Sequence, residues 1–170
     1  ASAPRVPESP LLVPARAVAG ADVLVESFTP RVMANFGLGY DDLKQIKPDL
    51  IMCSLSGYGG TGPERAYSAY GSNIETTSGL GSLLGYDETR FFGTGSFYAD
   101  PVSGNHATVA ILAALHARRT TGKGQWIDMA LLEAVEPFLA QDFLRYSVTG
   151  ESPVPKGSQW GEGYVLQGAF

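Results

Sequence analysis

Residues 22–55 decide the fold, and they read DVLVESFTPRVMANFGLGYDDLKQIKPDLIMCSL. The stretch opens with an apolar strand at 22–26 and closes with a longer one at 49–55. Between them, residues 31–36 and 41–47 have the apolar spacing, charge order and end signals of two short helices. Because strands joined by a helical crossover lie parallel, this stretch predicts a parallel sheet.

Further along the chain, the same alternation of strands and helices continues. The pattern predicts a glycine loop at 57–62, a helix at 72–78, a long helix that begins at Asp100-Pro101, a strand at 125–129 and a helix at 131–146 interrupted at Pro137. The long helix is apolar almost all round from Val102 to Ala117, so we expect it to be buried, with His106 and His116 as packing residues. The predicted fold class is α/β, a Rossmann-like parallel sheet with flanking helices.

Composition divides the chain into three parts. Residues 1–20 hold four of the eleven prolines, so we expect a poorly ordered lead-in. Residues 21–150 form the predicted α/β core. Prolines and glycines return in residues 151–170, which predicts an irregular tail or linker.

Charge and cysteine content exclude several function classes. A net charge of −5 argues against nucleic acid and against an anionic membrane surface as partners, because both require a clustered positive field. The longest apolar run is too short to span a bilayer. One cysteine and two histidines allow neither an internal disulfide nor a metal cluster of usual spacing. We therefore expect a cytoplasmic protein without a bound metal.

Asp100 is the first candidate for chemistry. Aspartate before proline at a helix start is ordinarily an N-cap. The preceding residues 93–99 are rich in glycine and aromatics, which lets a ligand approach the helix end. The helix dipole stabilises a negative charge there, and free backbone N–H groups can bind an oxyanion. The sequence therefore leaves two interpretations of Asp100, a helix cap and a nucleophilic carboxylate.

The loop at 57–62 matches the dinucleotide-binding pattern G-x-G-x-x-G and follows a strand. The residues after it, Pro63-Glu64-Arg65, do not continue into a clear helix, and no acidic residue closes a further strand about 20 positions on. The loop is better explained by tight turns, and a Rossmann-type oxidoreductase remains a weaker alternative.

Four stretches taken together resemble family III CoA-transferases, the carnitine and formyl-CoA transferase group. They are residues 21–28 with Pro30, residues 38–43, residues 54–63, and residues 99–101 through 121–125, in the family's order and spacing. The resemblance covers about residues 21–150. Most members are about twice this length, so the resemblance implies a partial chain.

The resemblance implies a mechanism and a set of CoA contacts. An aspartate at the place of Asp100 attacks the acyl-CoA carbonyl, giving a mixed anhydride and then an aspartyl-CoA thioester before a carboxylic acid acceptor takes the CoA. Coenzyme A is then a substrate, no cofactor is bound permanently, and a homodimer of interlocked subunits is expected. The implied CoA contacts are Ser27, Phe28, Thr29, Asn35, Ser68, Ala69, Tyr70 and Gly71. Ser27 stands where the family often has asparagine, and Asn35 and Ser68 stand where some members have a basic residue.

Two further alternatives follow from the same resemblance. A racemase of 2-methylacyl-CoA uses a histidine base where this chain has Tyr70, and tyrosine is a poor partner for two-base proton transfer near neutral pH. A non-catalytic CoA-binding fragment would keep the fold without turnover.

Overall fold

The computed structural model describes residues 12–87, 89–155 and 157. In chain order the elements are α1 (Leu12–Ala19), β1 (Val23–Glu26), α2 (Arg31–Asn35), α3 (Tyr40–Ile46), β2 (Ile51–Ser56), α4 (Gly71–Thr77), α5 (Leu80–Leu83), β3 (Gly85–Asp87), β4 (Arg90–Phe91), α6 (Ala99–Thr121), β5 (Gln125–Ala130), α7 (Leu131–Val135), a 3-10 turn (Glu136–Leu139) and α8 (Ala140–Thr149).

The central sheet has three parallel strands in the order β1-β2-β5. Val23 pairs with Ile51, and Ile51 pairs with Gln125 on its other side. The middle strand β2 is buried along nearly its whole length, as expected for a parallel strand that is covered on both faces. The predicted α/β fold class with a parallel sheet is confirmed, and the three strands lie where the sequence indicated.

The crossover between β1 and β2 covers one face of the sheet. Leu43 of α3 is fully buried and packs with Leu50, Met52 and Val18. Complete burial of a leucine side chain contributes about 2 kcal/mol to folding. Val18 belongs to helix α1, so part of the expected irregular lead-in is helical and joins the core. Proline is tolerated there because Pro14 lies in the first turn of α1. Residues 1–11 of the lead-in lie outside the described residues.

Helix α6 differs from the sequence prediction in two respects. It begins at Ala99, and Tyr98 rather than Asp100 occupies its N-cap position. Its outer face is not buried, because Val109 and Leu112 are exposed and both histidines face outward. The Nδ1 of His106 lies 2.9 Å from the Val102 carbonyl oxygen of its own helix. The expectation of an all-round buried helix with packing histidines is wrong for this chain.

The C-terminal end of α6 is hydrogen-bonded to the amino ends of β1 and β2. Arg118 donates hydrogen bonds to the Asp22 carboxylate at 2.7 Å and to the Asp49 backbone carbonyl at 3.0 Å. Because the Asp22 carboxylate is mostly exposed, solvent screens this ion pair, and exposed pairs contribute about 0–1 kcal/mol. Gly124 lies at the same edge, where a Cβ would be 2.0 Å from the Leu50 carbonyl oxygen. This close approach brings β5 into register with β2.

The segment after β5 contains the break predicted at Pro137. Pro137 lies in the 3-10 turn that separates α7 from α8. The β3–β4 hairpin was not indicated by the sequence. Residues 151–155 carry neither helix nor strand, and residues 156 and 158–170 of the expected tail lie outside the described residues. No helix in the described part of the chain is long and apolar enough to cross a membrane.

Candidate active site

The carboxyl ends of the three parallel strands meet at one edge of the sheet, which is where ligands bind in open α/β folds. Helix α6 runs antiparallel to the strands, so its first turn also lies toward this edge. The loop that follows β2 folds back on itself, because a Cβ on Gly57 would lie only 2.2 Å from the Ala69 Cβ. Segment 68–71 is thereby held next to the end of β2.

Asp100 lies in the first turn of α6 and is exposed. A Cβ placed on Gly71 would be 2.8 Å from Asp100 Oδ2 and 2.9 Å from Oδ1. The carboxylate therefore rests against a backbone that carries no side chain. Among the described residues, no group donates a hydrogen bond to it, so the oxygens are accessible to a ligand. The structure brings together Asp100 and Gly71, two of the residues that the sequence singled out.

A tight turn precedes Asp100. Phe97 has a φ of +49° in the left-handed region, which side-chain-bearing residues rarely adopt. Its carbonyl accepts a hydrogen bond from the Asp100 N–H at 2.9 Å. The same Cβ on Gly71 would be 2.6 Å from the Phe97 Cβ. Phe97 and the Asp100 carboxylate therefore both pack against Gly71, the first residue of α4.

The turn is held by Glu75, a buried residue of α4 that the sequence analysis did not identify. Its Oε1 accepts hydrogen bonds from Thr94 Oγ1 at 2.5 Å and from the Tyr98 N–H. Its Oε2 accepts one from the Thr94 N–H at 3.1 Å. No local signal in the sequence identifies Glu75, because its partners lie 19 and 23 residues further along the chain.

Two opposing effects act on the pKa of Glu75. Burial raises it, because the charged form loses water, whereas the hydrogen bonds from Thr94 and Tyr98 lower it. The hydrogen bonds prevail, and the pKa of this carboxyl lies below its usual value. Glu75 is thus ionised at neutral pH inside the site.

A cavity of about 370 Å³ lies on the face of the sheet that α2 and α3 cover. Phe28 lines it, and no residue of segment 68–71 does. The acidic residues in its wall are Glu26, Asp41, Asp42 and Asp128, and none of the residues that line it is basic. The Ser56 hydroxyl, also in the wall, is buried and has no hydrogen-bond partner among the described residues. The cavity therefore suits a neutral group with polar atoms better than a phosphate.

The other residues implied by the resemblance lie at the surface. Ser27, Asn35, Ser68 and Tyr70 are exposed, and Tyr70 exposes 77% of its surface. Thr29 and Ala69 are half-buried.

The loop at 57–62 is tied to β5 because both Asp128 carboxylate oxygens accept from the Gly60 N–H, at 2.8 and 3.0 Å. No helix follows this loop before Gly71, which removes the context that a dinucleotide fingerprint requires.

Comparison with known proteins shows which family this chain resembles in sequence. Residues 13–167 match the model of CoA-transferase family III. The chain is 37% identical over 155 residues to the succinate–glutarate CoA-transferase of Agrobacterium fabrum, covering 91% of this chain and 38% of that relative. It is 37% identical over 142 residues to the acetyl-CoA:oxalate CoA-transferase of Acetobacter aceti, covering 82% of this chain and 36% of that relative.

A solved structure has the same fold. A CAIB/BAIF family protein from Brucella suis superposes with a TM-score of 0.83 at 38% identity, covering 91% of this chain and 40% of the other. The chain thus spans about two fifths of the length of the relatives that it matches.

Proposed function

The chain belongs to CoA-transferase family III, and from this membership we propose that it is part of an enzyme that moves CoA from an acyl-CoA thioester to a carboxylic acid. The observation that carries the proposal is the exposed Asp100 carboxylate, which rests against Gly71 without a hydrogen bond from the described residues. A carboxylate in this position is open to an incoming thioester and is not consumed by a structural role.

The reaction proceeds in four transfers at Asp100. An Asp100 oxygen attacks the thioester carbonyl, the C–S bond breaks, and CoA thiolate leaves behind a mixed anhydride. The thiolate then attacks the Asp100 carbonyl carbon of the anhydride, releasing the first acid and forming an aspartyl-CoA thioester. The acceptor carboxylate attacks this thioester and expels the thiolate again. In the last transfer the thiolate attacks the acceptor's carbonyl, so that acyl-CoA product leaves and the Asp100 carboxylate is regenerated.

The start of α6 suits the oxyanion that forms in each attack, because the helix dipole favours negative charge at this end. Residues 100–102 offer no free amide, since the Asp100 N–H is bonded to the Phe97 carbonyl, the Val102 N–H is bonded to the Tyr98 carbonyl, and Pro101 has no N–H. Gly71 leaves room for a thioester to reach the carboxylate. These two features support covalent catalysis at this helix start.

For the CoA substrate, we propose that the adenine end lies near Phe28 and the thioester near segment 68–71 and Asp100. The acidic wall of the cavity beside Phe28 excludes the phosphates from it, so they point away from the sheet. Asn35 and Ser68 supply no cation for these phosphates. A homodimer is part of this proposal.

The substitution Asp100→Asn tests the function. The side chain is exposed and is not the helix cap, so the variant should fold normally, and it should lose turnover because an amide does not attack a thioester. In the full-length polypeptide, hydroxylamine added with acyl-CoA should leave a hydroxamate on wild-type Asp100, detected by peptide mass spectrometry, and none on the variant.

Asp142→Asn is the matched control, since Asp142 is the first-turn acid of another helix, α8. It should keep full activity. Transferase activity retained by Asp100→Asn would overturn the proposal. Deuterium exchange at C2 of a 2-methylacyl-CoA without CoA transfer would instead support the racemase alternative.

A further inference from the structure

Glu75 bears a charge in a place where charge is costly. Only 4% of its surface is exposed, and an ionised carboxylate is stable at such a site only when its oxygens are hydrogen-bonded. The three hydrogen bonds that its carboxylate accepts from the described residues come from Thr94 and Tyr98, which lie 19 and 23 residues further along the chain. The carboxylate is thus dedicated to one segment, the turn between β4 and α6.

That turn does not hold its shape by itself. Phe97 in the left-handed region costs about 1–2 kcal/mol relative to ordinary backbone, and such conformations persist only where surrounding contacts impose them. The residues bound by Glu75 lie on both sides of Phe97. With the Glu75 contacts removed, the backbone at Phe97 is free to relax toward negative φ.

A relaxed turn would move Asp100. The Asp100 N–H is bonded to the Phe97 carbonyl at 2.9 Å, and the Phe97 Cβ and the Asp100 carboxylate face the same side of Gly71. A change of φ at Phe97 therefore changes the direction in which the first turn of α6 presents its carboxylate. Misplacement of a reacting group by about 1 Å costs about 100-fold in rate.

We propose that Glu75 is a positioning residue for Asp100: its buried carboxylate clamps the 94–98 turn in the strained conformation that aims Asp100 at the thioester. The inference rests on the proposed function for its catalytic part. Its structural part, the clamp on the turn, is independent of any activity.

Two substitutions at Glu75 separate the contributions of its oxygens. In Glu75→Gln, the amide oxygen can still accept from Thr94 Oγ1 and the Tyr98 N–H, whereas the amide nitrogen faces the Thr94 N–H and cannot accept from it. In Glu75→Leu, every acceptor is lost. Glu133→Gln is the matched control, because Glu133 is exposed on α7.

The first measurement is hydrogen exchange resolved at single amides in the full-length polypeptide. Glu75→Gln should lose protection at the Thr94 amide and keep it at the Tyr98 amide, whereas Glu75→Leu should lose both. Glu133→Gln should match the wild type. Unchanged protection at Thr94 in Glu75→Gln overturns the clamp, and this result can be obtained even if Glu75→Leu does not fold.

The second measurement is the single-turnover rate of acylation at Asp100. We expect a loss of about 10-fold in Glu75→Gln and about 100-fold in Glu75→Leu, with KM changed less than about 3-fold, because substrate contacts are untouched while the nucleophile is misaligned. If the Thr94 amide loses protection and acylation stays at the wild-type rate, Glu75 holds the turn but does not position Asp100, and the inference fails. If the wild type itself is never acylated at Asp100, the proposed function fails instead, and the exchange data alone decide whether the clamp exists.

Discussion

Replacing Gly71 with alanine tests the packing on which the candidate site depends. The added methyl group would be 2.6 Å from the Phe97 Cβ and 2.8 and 2.9 Å from the Asp100 carboxylate oxygens. These contacts differ in what they cost. The Asp100 side chain can rotate away at little energetic cost, but the proposed nucleophile is then displaced. The Phe97 Cβ can move only with its backbone, which is already constrained.

The two contacts predict two separable effects of Gly71→Ala. The Phe97 contact should lower the free energy of unfolding by about 1–2 kcal/mol, as is typical of an inserted methyl group in a packed site. The displaced carboxylate should lower the acylation rate by about 100-fold. Urea unfolding measures the first effect, and hydroxamate formation at Asp100 measures the second.

Gly104→Ala is the control for this experiment, because its Cβ meets no heavy atom within 4 Å and it lies in the same helix as Asp100. It should raise the free energy of unfolding by about 0.5–1 kcal/mol, since alanine is the better helix former. If Gly71→Ala acylates as fast as Gly104→Ala, the carboxylate does not rest against residue 71 and the geometry of the site is wrong.

Two further predictions concern other parts of the fold. Gly124→Ala should lower the free energy of unfolding by about 3 kcal/mol or more, because the added Cβ would lie 2.0 Å from the Leu50 carbonyl oxygen and the two backbones would have to separate. A urea unfolding midpoint equal to that of the wild type would contradict this close contact between the strands. The stability contributed by ionised Glu75 should be fully present above the usual glutamate pKa and should be lost as the pH falls through its lowered pKa in the folded protein. The difference in unfolding free energy between wild type and Glu75→Gln should therefore shrink below about pH 4, and a difference that stays constant from pH 7 into that range would refute the assignment.

The sheet and its crossover could be predicted because their signals are local. The apolar run at 49–55 and the charge order of Asp41, Asp42 and Lys44 each indicate one element without reference to distant residues. Asp100 was also proposed from local signals, namely the proline after it and the glycines before it. The interpretation of Asp100 as the helix cap was wrong, because helix α6 begins two residues earlier than the Asp-Pro pattern indicated, with Tyr98 at the N-cap position.

The contacts of Glu75 could not be predicted in this way. Its partners are 19 and 23 residues away, two of the three donors are backbone N–H groups, and a backbone donor has no residue type to recognise. The exposure of Val109 and Leu112 was missed for a different reason. The apolar sequence of α6 shows that several faces of the helix are hydrophobic. It does not show which of these faces other elements of this chain cover, and the face with Val109 and Leu112 is exposed.

The hydrogen bonds of Arg118 to Asp22 and Asp49 anchor α6 to the amino ends of β1 and β2. This anchor lies about 27 Å along α6 from Asp100. The Arg118 anchor and the proposed nucleophile therefore lie at opposite ends of one helix. For laboratory evolution, this separation means that the exposed loop at 61–67 can be randomised while the anchor at Arg118 and the turn at 94–98 are left intact. A library confined to this loop should thus contain a larger fraction of folded variants than one of equal size that includes Asp22, Asp49 and Arg118.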